Sequence, residues 1–323
     1  MSADLTTDPV RLVRDAHARL ARTVNIAPDL GAPQERGWTI NVERSHLEDC
    51  AQHGFTAIRL LMDLAAHRAP GGLAPATLRR VEQIADDAAS LGLAVVIASR
   101  PDRELIADPG PHLAATLAAV AQLAGAFAGR GTDVIVEPLA EPEQALDPIW
   151  NSVAAELIGA VRGQDQHRTI LLGPRTMNNA RFLGDLALPE DERNLIVGVH
   201  HYWPITFTMQ GETWLGEDHV FGSPRDWLGI TWDQTPAQEA ELRAGFAQLA
   251  GWGAMTGRPL FLAEFGTTAN ADLASRVRWT RFNRTLAEQH GMPWGIWSLA
   301  PTFAIYDPST RSFNKQLLAA LMD

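Results

Sequence analysis

The chain has 323 residues and a net charge of -11, with no basic cluster, so nucleic acid is not an expected partner. Its 46% hydrophobic content provides for a large core, and no apolar run approaches a membrane span, so no membrane partner is expected. The single cysteine, Cys50, excludes an internal disulfide and sits in an apolar helical pattern, as an inert buried thiol does.

Residues 1–22 contain a short amphipathic helix with Leu12, Val13, Ala16 and Leu20 on one face. Met1 to Leu5 lack the charged-then-apolar pattern of a signal peptide, so the chain as written reads as cytoplasmic, or as secreted or periplasmic if a signal was trimmed. Thr23 to Ile26 is a strand, followed by a Pro/Gly-rich loop to Trp38. Ser45 to His53 is helical, Thr56 to Met62 a strand, and Pro75 to Leu91 a helix with Gly92 as its cap. Leu93 to Ala98 is a third strand, and Pro111 to Ala128 an alanine-rich helix. The fourth strand, from Val134, ends at Glu137 and Pro138 and leads to Glu141. Helix 148–161, strand 169–173 and a short helix near Ala180 follow. Leu195 to His200 is strand six, then a tryptophan-rich connection runs from Tyr202 to Thr235. Helix 236–255, strand 259–264, helix 271–289, strand 293–299 and helix 314–322 complete the chain.

Eight short, continuously apolar strands alternate with helices, the pattern of strands covered on both faces. This predicts α/β architecture, a single (β/α)8 TIM barrel over residues 1–323 with 1–22 as a helical extension. An open doubly wound sheet binding a nucleotide needs a glycine-rich phosphate turn after an early strand, and the chain has none.

In a barrel, chemistry sits at the carboxyl ends of the strands. Those positions carry Arg59, Ser99-Arg100, Glu141, His200-His201-Tyr202, Glu264 and Trp297. Two strands that each deliver a glutamate supply the minimum for cutting a glycosidic bond. Taken singly, either glutamate also suits a structural arginine. Arg59, inside an apolar strand, needs a carboxylate partner such as Glu264, and Glu137 reads as half of a buried ion pair. Adjacent histidines on a strand point to opposite faces, so only one of His200 and His201 faces the pocket and a metal site is not expected. Trp297 reads as a floor for a sugar ring or as an ordinary barrel residue.

With these residues in view, the chain from about Val24 onward resembles glycoside hydrolase family 5, the cellulase-like retaining glycosidases. Gly54-Phe55-Thr56-Ala57-Ile58-Arg59-Leu60 resembles the second strand with its arginine. Val136-Glu137-Pro138-Leu139-Ala140-Glu141-Pro142 resembles the strand ending in Asn-Glu-Pro. Residues 194–202 resemble the sixth strand with its His and Tyr. Phe207 to Trp214 resembles the Phe-Thr-His-Gln-Gly-Ala-x-Trp segment. Leu262-Ala263-Glu264-Phe265-Gly266 and Trp294-Gly295-Ile296-Trp297-Ser298 resemble the last two strands.

The resemblance implies Glu141 as general acid/base and Glu264 as nucleophile. It implies His200 and Tyr202 as their respective orienting residues, Arg59 as the group holding the nucleophile ionised, and Trp297 as the floor of the −1 subsite. Glu141 is then expected to be raised in pKa and Glu264 lowered. Three positions depart from the family pattern: Ala140 stands for its Asn, Ser99-Arg100 for a histidine, and Met209 for another histidine. The lost Asn is a donor to the sugar 2-hydroxyl. Arg100 is then a candidate for an acidic group on a different substrate, and Trp203, Trp214, Trp227 and Trp232 are expected to wall the cleft. The expected activity is retaining hydrolysis of a β-linked glucan or related oligo- or polysaccharide, with no metal or organic cofactor. A catalytically weakened glycan-binding protein and a transglycosylase remain as alternatives.

Overall fold

The computed structural model describes residues 7–28, 39–69, 72–217, 219–299 and 302–323, so most of the loop expected up to Trp38 lies outside the described residues. Eight parallel strands form a closed barrel: β1 (Arg22–Pro28), β2 (Ala57–Asp63), β3 (Ala94–Arg100), β4 (Val134–Glu137), β5 (Ile170–Leu172), β6 (Leu195–His201), β7 (Leu260–Phe265) and β8 (Trp294–Ile296). Each pairs with its neighbour in sequence, and Arg22, Thr23 and Val24 of β1 close the ring on Trp294, Gly295 and Ile296 of β8. Sheathed in helices outside and side chains within, the strands carry apolar residues on both faces.

The helical shell includes α2 (Arg44–Gln52), α3 (Pro75–Ser90), α4 (Pro109–Ala126), α5 (Trp150–Arg162), α6 (Pro236–Thr256), α7 (Leu273–Gln289) and α8 (Lys315–Met322). Their starts are written in local chemistry. At α6 the Thr235 hydroxyl accepts from the Gln238 backbone while the Gln238 side chain accepts from the Thr235 backbone. Proline occupies the first turn of α3, α4 and α6, where no N–H is missed.

The N-terminal helix α1 (Pro9–Arg19), expected as an extension, is built into the core. Asp8 caps it, and Val13, Ala16 and the following Leu20 join the barrel-interior cluster of Ala57, Val96, Ile135, Ile196 and Phe261. The helix therefore stops one end of the barrel with apolar side chains. At β8 the ladder is shorter than the sequence suggests. The regular strand ends at Ile296, although Trp297 N–H still donates to Phe265 O of β7 and Leu299 N–H to Asn25 O of β1.

We predict that Leu20→Ala lowers stability by about 2–4 kcal/mol, since Leu20 is fully buried and the rigid strand ring cannot collapse onto the void. Urea unfolding measures this. A loss below about 1 kcal/mol is the transfer cost of a group at the surface and would show that α1 does not plug the barrel.

Candidate active site

Arg59 of β2 is fully buried and carries the centre of the site. Its Nε and Nη2 donate to the two carboxylate oxygens of Glu137 at 2.5 and 3.1 Å, and its Nη1 donates to Glu264 Oε1 at 2.6 Å and Asn25 Oδ1 at 2.8 Å. The partners come from β4, β7 and β1. Asn25 is the register neighbour of Arg59 across the β1–β2 ladder, and its own Nδ2 donates to Ala263 O and Ile296 O. The reading of Glu137 as half of a buried ion pair is met, with Arg59 as its partner. The Asn25 contact is one that sequence reasoning missed. Its signal was a lone amide in an apolar strand, aligned with an arginine.

Glu264 Oε2 accepts from the Tyr202 hydroxyl at 2.9 Å. Glu141, just beyond β4 with φ of 53°, accepts from His200 Nδ1 at 3.0 Å through its Oε1. Donor atoms of Glu141, His200 and Glu264 all lie within 4.8 Å of one another. His200 faces this cluster, while the next side chain, His201, packs between Phe246 and Trp279 of the helical shell, as alternation along β6 requires. Burial there lowers His201 to about 4, so its ring is neutral.

The charge balance corrects an expectation. Burial is the largest influence on Glu264 and raises its carboxyl. His200 and Arg59 pull it back, Glu141 adds repulsion, and the balance lies above the ordinary value. Burial also raises Glu141, but the hydrogen bond and charge of His200 outweigh it, leaving Glu141 below the ordinary value. Sequence reasoning expected the reverse. The reason is geometric: Arg59 spends two of its N–H groups on Glu137, and His200 donates to Glu141. For His200, burial works downward, and the charges of Glu264 and Glu141 more than offset it. Tyr202 is pushed well above its usual value by burial and by Glu264, so it stays a donor.

Both glutamates open into one cavity of about 1080 Å³, which Arg100, Met209, Trp203, Trp214 and Trp297 also line. Trp203 is fixed by a 2.7 Å bond from its Nε1 to Glu241, and Trp214 by one of 2.7 Å to the buried Glu212. Trp227 and Trp232 do not wall the cleft as expected. Trp227 is buried and donates to Phe221 O, and Trp232 packs on Phe282 beneath α7. Ala140 lies in an apolar cluster with Leu61, Ala98, Met209 and Trp297. The Ser99 hydroxyl turns back to Pro138 O.

A closed parallel barrel with two carboxylates from different strands at its carboxyl face defines the class: a barrel with a dicarboxylate site. The family model described as Cellulase (glycosyl hydrolase family 5) matches residues 30–302. The chain belongs to that family. It is 24% identical over 333 residues to Endoglucanase H of Acetivibrio thermocellus, covering 100% of this chain and 34% of that protein. It is 25% identical over 166 residues to Cellodextrinase A of Ruminococcus flavefaciens, covering 51% of this chain and 47% of the relative. The chain thus spans about a third to about half of the length of these relatives. Among solved structures, Thermotoga maritima Cel5A in complex with cellobiose superposes with a TM-score of 0.89 at 30% identity, covering 97% of this chain and 100% of that one. The same protein with mannotriose gives 0.90 at 29%, again covering 97% and 100%.

We predict that Tyr202→Phe reduces kcat/KM by about 10- to 10²-fold, the worth of one hydrogen bond to a charged group. The lost donor served the ionised form of Glu264, so the carboxyl rises further and the acid limb of the pH–activity profile moves to higher pH. An unmoved acid limb would show that this bond does not act on the ionised carboxylate.

Proposed function

We propose that this chain is a retaining β-glycoside hydrolase that acts on a β-linked glucan or related oligosaccharide by double displacement, with Glu264 as nucleophile and Glu141 as general acid/base. The observation that carries the reading is the spacing of the two carboxylates. An oxygen of each lies within 4.8 Å of the other. Retaining enzymes hold their carboxyl groups about 5–5.5 Å apart, whereas inverting ones leave roughly 6.5–9.5 Å for a water. The saccharides in the neighbouring Cel5A structures support a saccharide substrate here.

The first step needs a proton on Glu141, whose Oε1 faces His200 Nδ1 at 3.0 Å. A sugar covering the pair removes water, which penalises two separated charges and favours neutral imidazole beside protonated Glu141. Glu264, held by Arg59 and Tyr202, attacks the anomeric carbon as Glu141 protonates the departing oxygen. Once the ester forms, Glu264 no longer carries charge. Glu141 then sits ionised beside His200 and takes a proton from the incoming water.

A second reading, glycan binding with weak or no turnover, has its own observation. At Ala140, Met209 and Ser99 no side chain is left to donate to a sugar 2-hydroxyl, and such bonds supply several kcal/mol in the transition state.

An activated 2-deoxy-2-fluoro β-glucoside or cellobioside, followed by intact mass and peptide mapping, tests the proposal. We expect a covalent sugar on Glu264, and neither adduct nor hydrolysis in a folded Glu264→Gln variant. Full hydrolysis by Glu264→Gln would end the proposal. Binding of oligosaccharides with neither labelling nor turnover, across a panel of sugar configurations, would establish the second reading instead.

A further inference from the structure

Asn178 lies in the turn after β5, fully buried, with φ of 55°. Its Oδ1 accepts from the backbone N–H of Glu141 at 3.0 Å, and its Nδ2 lies 3.3 Å from Nε2 of His200. One amide therefore holds the main chain of the proposed acid/base and the ring that touches its carboxylate. The turn is tied to β6 by a bridge between Asn179 and His200. Space for the amide exists because residue 173 is glycine: a Cβ there would stand 2.5 Å from both Asn178 Cγ and Gly198 O. Asparagine is among the few residues that accept a left-handed backbone readily.

The orientation of the amide follows from its partners. A backbone N–H only donates, so the atom facing Glu141 is the oxygen and the atom facing His200 is the NH2 group. That group also only donates, so Nε2 must offer its lone pair. The neutral ring then carries its proton on Nδ1, where it meets Glu141 Oε1. A charged ring would set N–H against N–H.

We propose that Asn178 is a positioning residue that fixes the His200 proton on Nδ1, opposite Glu141, and resists charging of the ring. The inference rests on the hydrolase reading for its consequence in catalysis, though not for its structural test. The charged and titratable groups facing His200 are Glu141 from beyond β4, Glu264 from β7 at 3.6 Å, Arg59 from β2 and Tyr202 from beyond β6. The two carboxylates favour imidazolium; Arg59 and the Asn178 amide oppose it. With Nε2 held as an acceptor, the ring's one proton stays in the bond to Glu141 Oε1, and the proton that Glu141 itself carries sits on its other oxygen, where the first step of hydrolysis uses it.

The test is ¹⁵N NMR of histidine-labelled protein without substrate, with His200 assigned from the signal lost in His200→Gln. We expect the wild-type ring to be the Nδ1–H form when neutral. In Asn178→Asp a carboxylate accepts from Nε2–H, so His200 stays charged to a pH higher by about one unit or more. In that variant kcat/KM falls by about 10²-fold and the alkaline limb of its pH profile moves up, because the proton rests on His200 instead of Glu141. A purely structural role would lower the rate without moving that limb. An Nε2–H ring in the wild type, or equal charging midpoints in wild type and Asn178→Asp, would overturn the proposal. The wild-type tautomer decides alone if the variant does not fold. Lack of turnover with an Nδ1–H ring counts against the hydrolase reading only, and turnover with an Nε2–H ring counts against the role of Asn178 only.

Discussion

Arg59 places one positive charge between two buried carboxylates, and the barrel is built so that this charge is never without a partner. An unpaired guanidinium in such an interior would cost several kcal/mol. The residues that prevent it, Asn25, Glu137 and Glu264, stand on three other strands. Each strand must therefore keep its register. A slip of one residue would turn the group to the helical shell, and a slip of two would move it out of reach along the strand. Closure of the ring is part of the same constraint. Asn25 of β1 reaches Ala263 O past Gly295 of β8, where a Cβ would press to 3.1 Å on its amide and 2.5 Å on that carbonyl.

Sharing the guanidinium has a chemical consequence. Glu137 takes two of the N–H groups, so Glu264 is left with one of them and stays above its ordinary pKa. The Tyr202 hydroxyl supplies a second donor to Glu264 that cannot itself be lost as a proton, because burial beside that carboxylate holds it on the oxygen. His200 donates to Glu141 in turn. The site is a set of carboxylates with too few fixed cations, completed by hydrogen-bond donors from Tyr202 and His200.

Much of this was legible in the chain. The strands announced themselves by continuous apolar runs, and the strand-end rule picked out Arg59, Glu141, His200, Tyr202, Glu264 and Trp297, which the fold brings to one cavity or its floor. What escaped has a physical reason in each case. The division of Arg59 between Glu137 and Glu264, and with it the sense of the pKa shifts, depends on distances that no linear pattern encodes. Asn178 sits in a turn of left-handed residues without periodicity, so nothing local marks it as facing His200. Trp227 and Trp232 look the same in sequence as Trp203 and Trp214; only the path of the connection decides which rings fill the core and which meet the cavity. The hairpin Tyr306–Asp307 with Ser312–Phe313 escaped as well, because its strands are two residues each and Asp49 anchors it from α2 through Tyr306 and Arg311.

The positions expected from the resemblance to depart from the family's motifs, Ala140, Ser99 and Met209, are neutral, whereas the coupled charges are kept, and the two facts have one cause. Arg59, Glu137, Glu264, Tyr202, His200 and Glu141 are coupled, so removing any one leaves another buried without its partner. The neutral positions are not bound in this way. Ala140 and Met209 meet Leu61, Ala98 and Trp297 in one apolar surface, and Ser99 satisfies its hydroxyl on Pro138 O, so the wall is complete without a ligand. A sugar hydroxyl pressed against it would lose water and gain no bond, at a cost of about 1–3 kcal/mol. A substrate that presents no free hydroxyl there escapes that cost. Under the proposed function, the coupled charges preserve the chemistry, while the wall beside them is where the identity of the sugar is free to change.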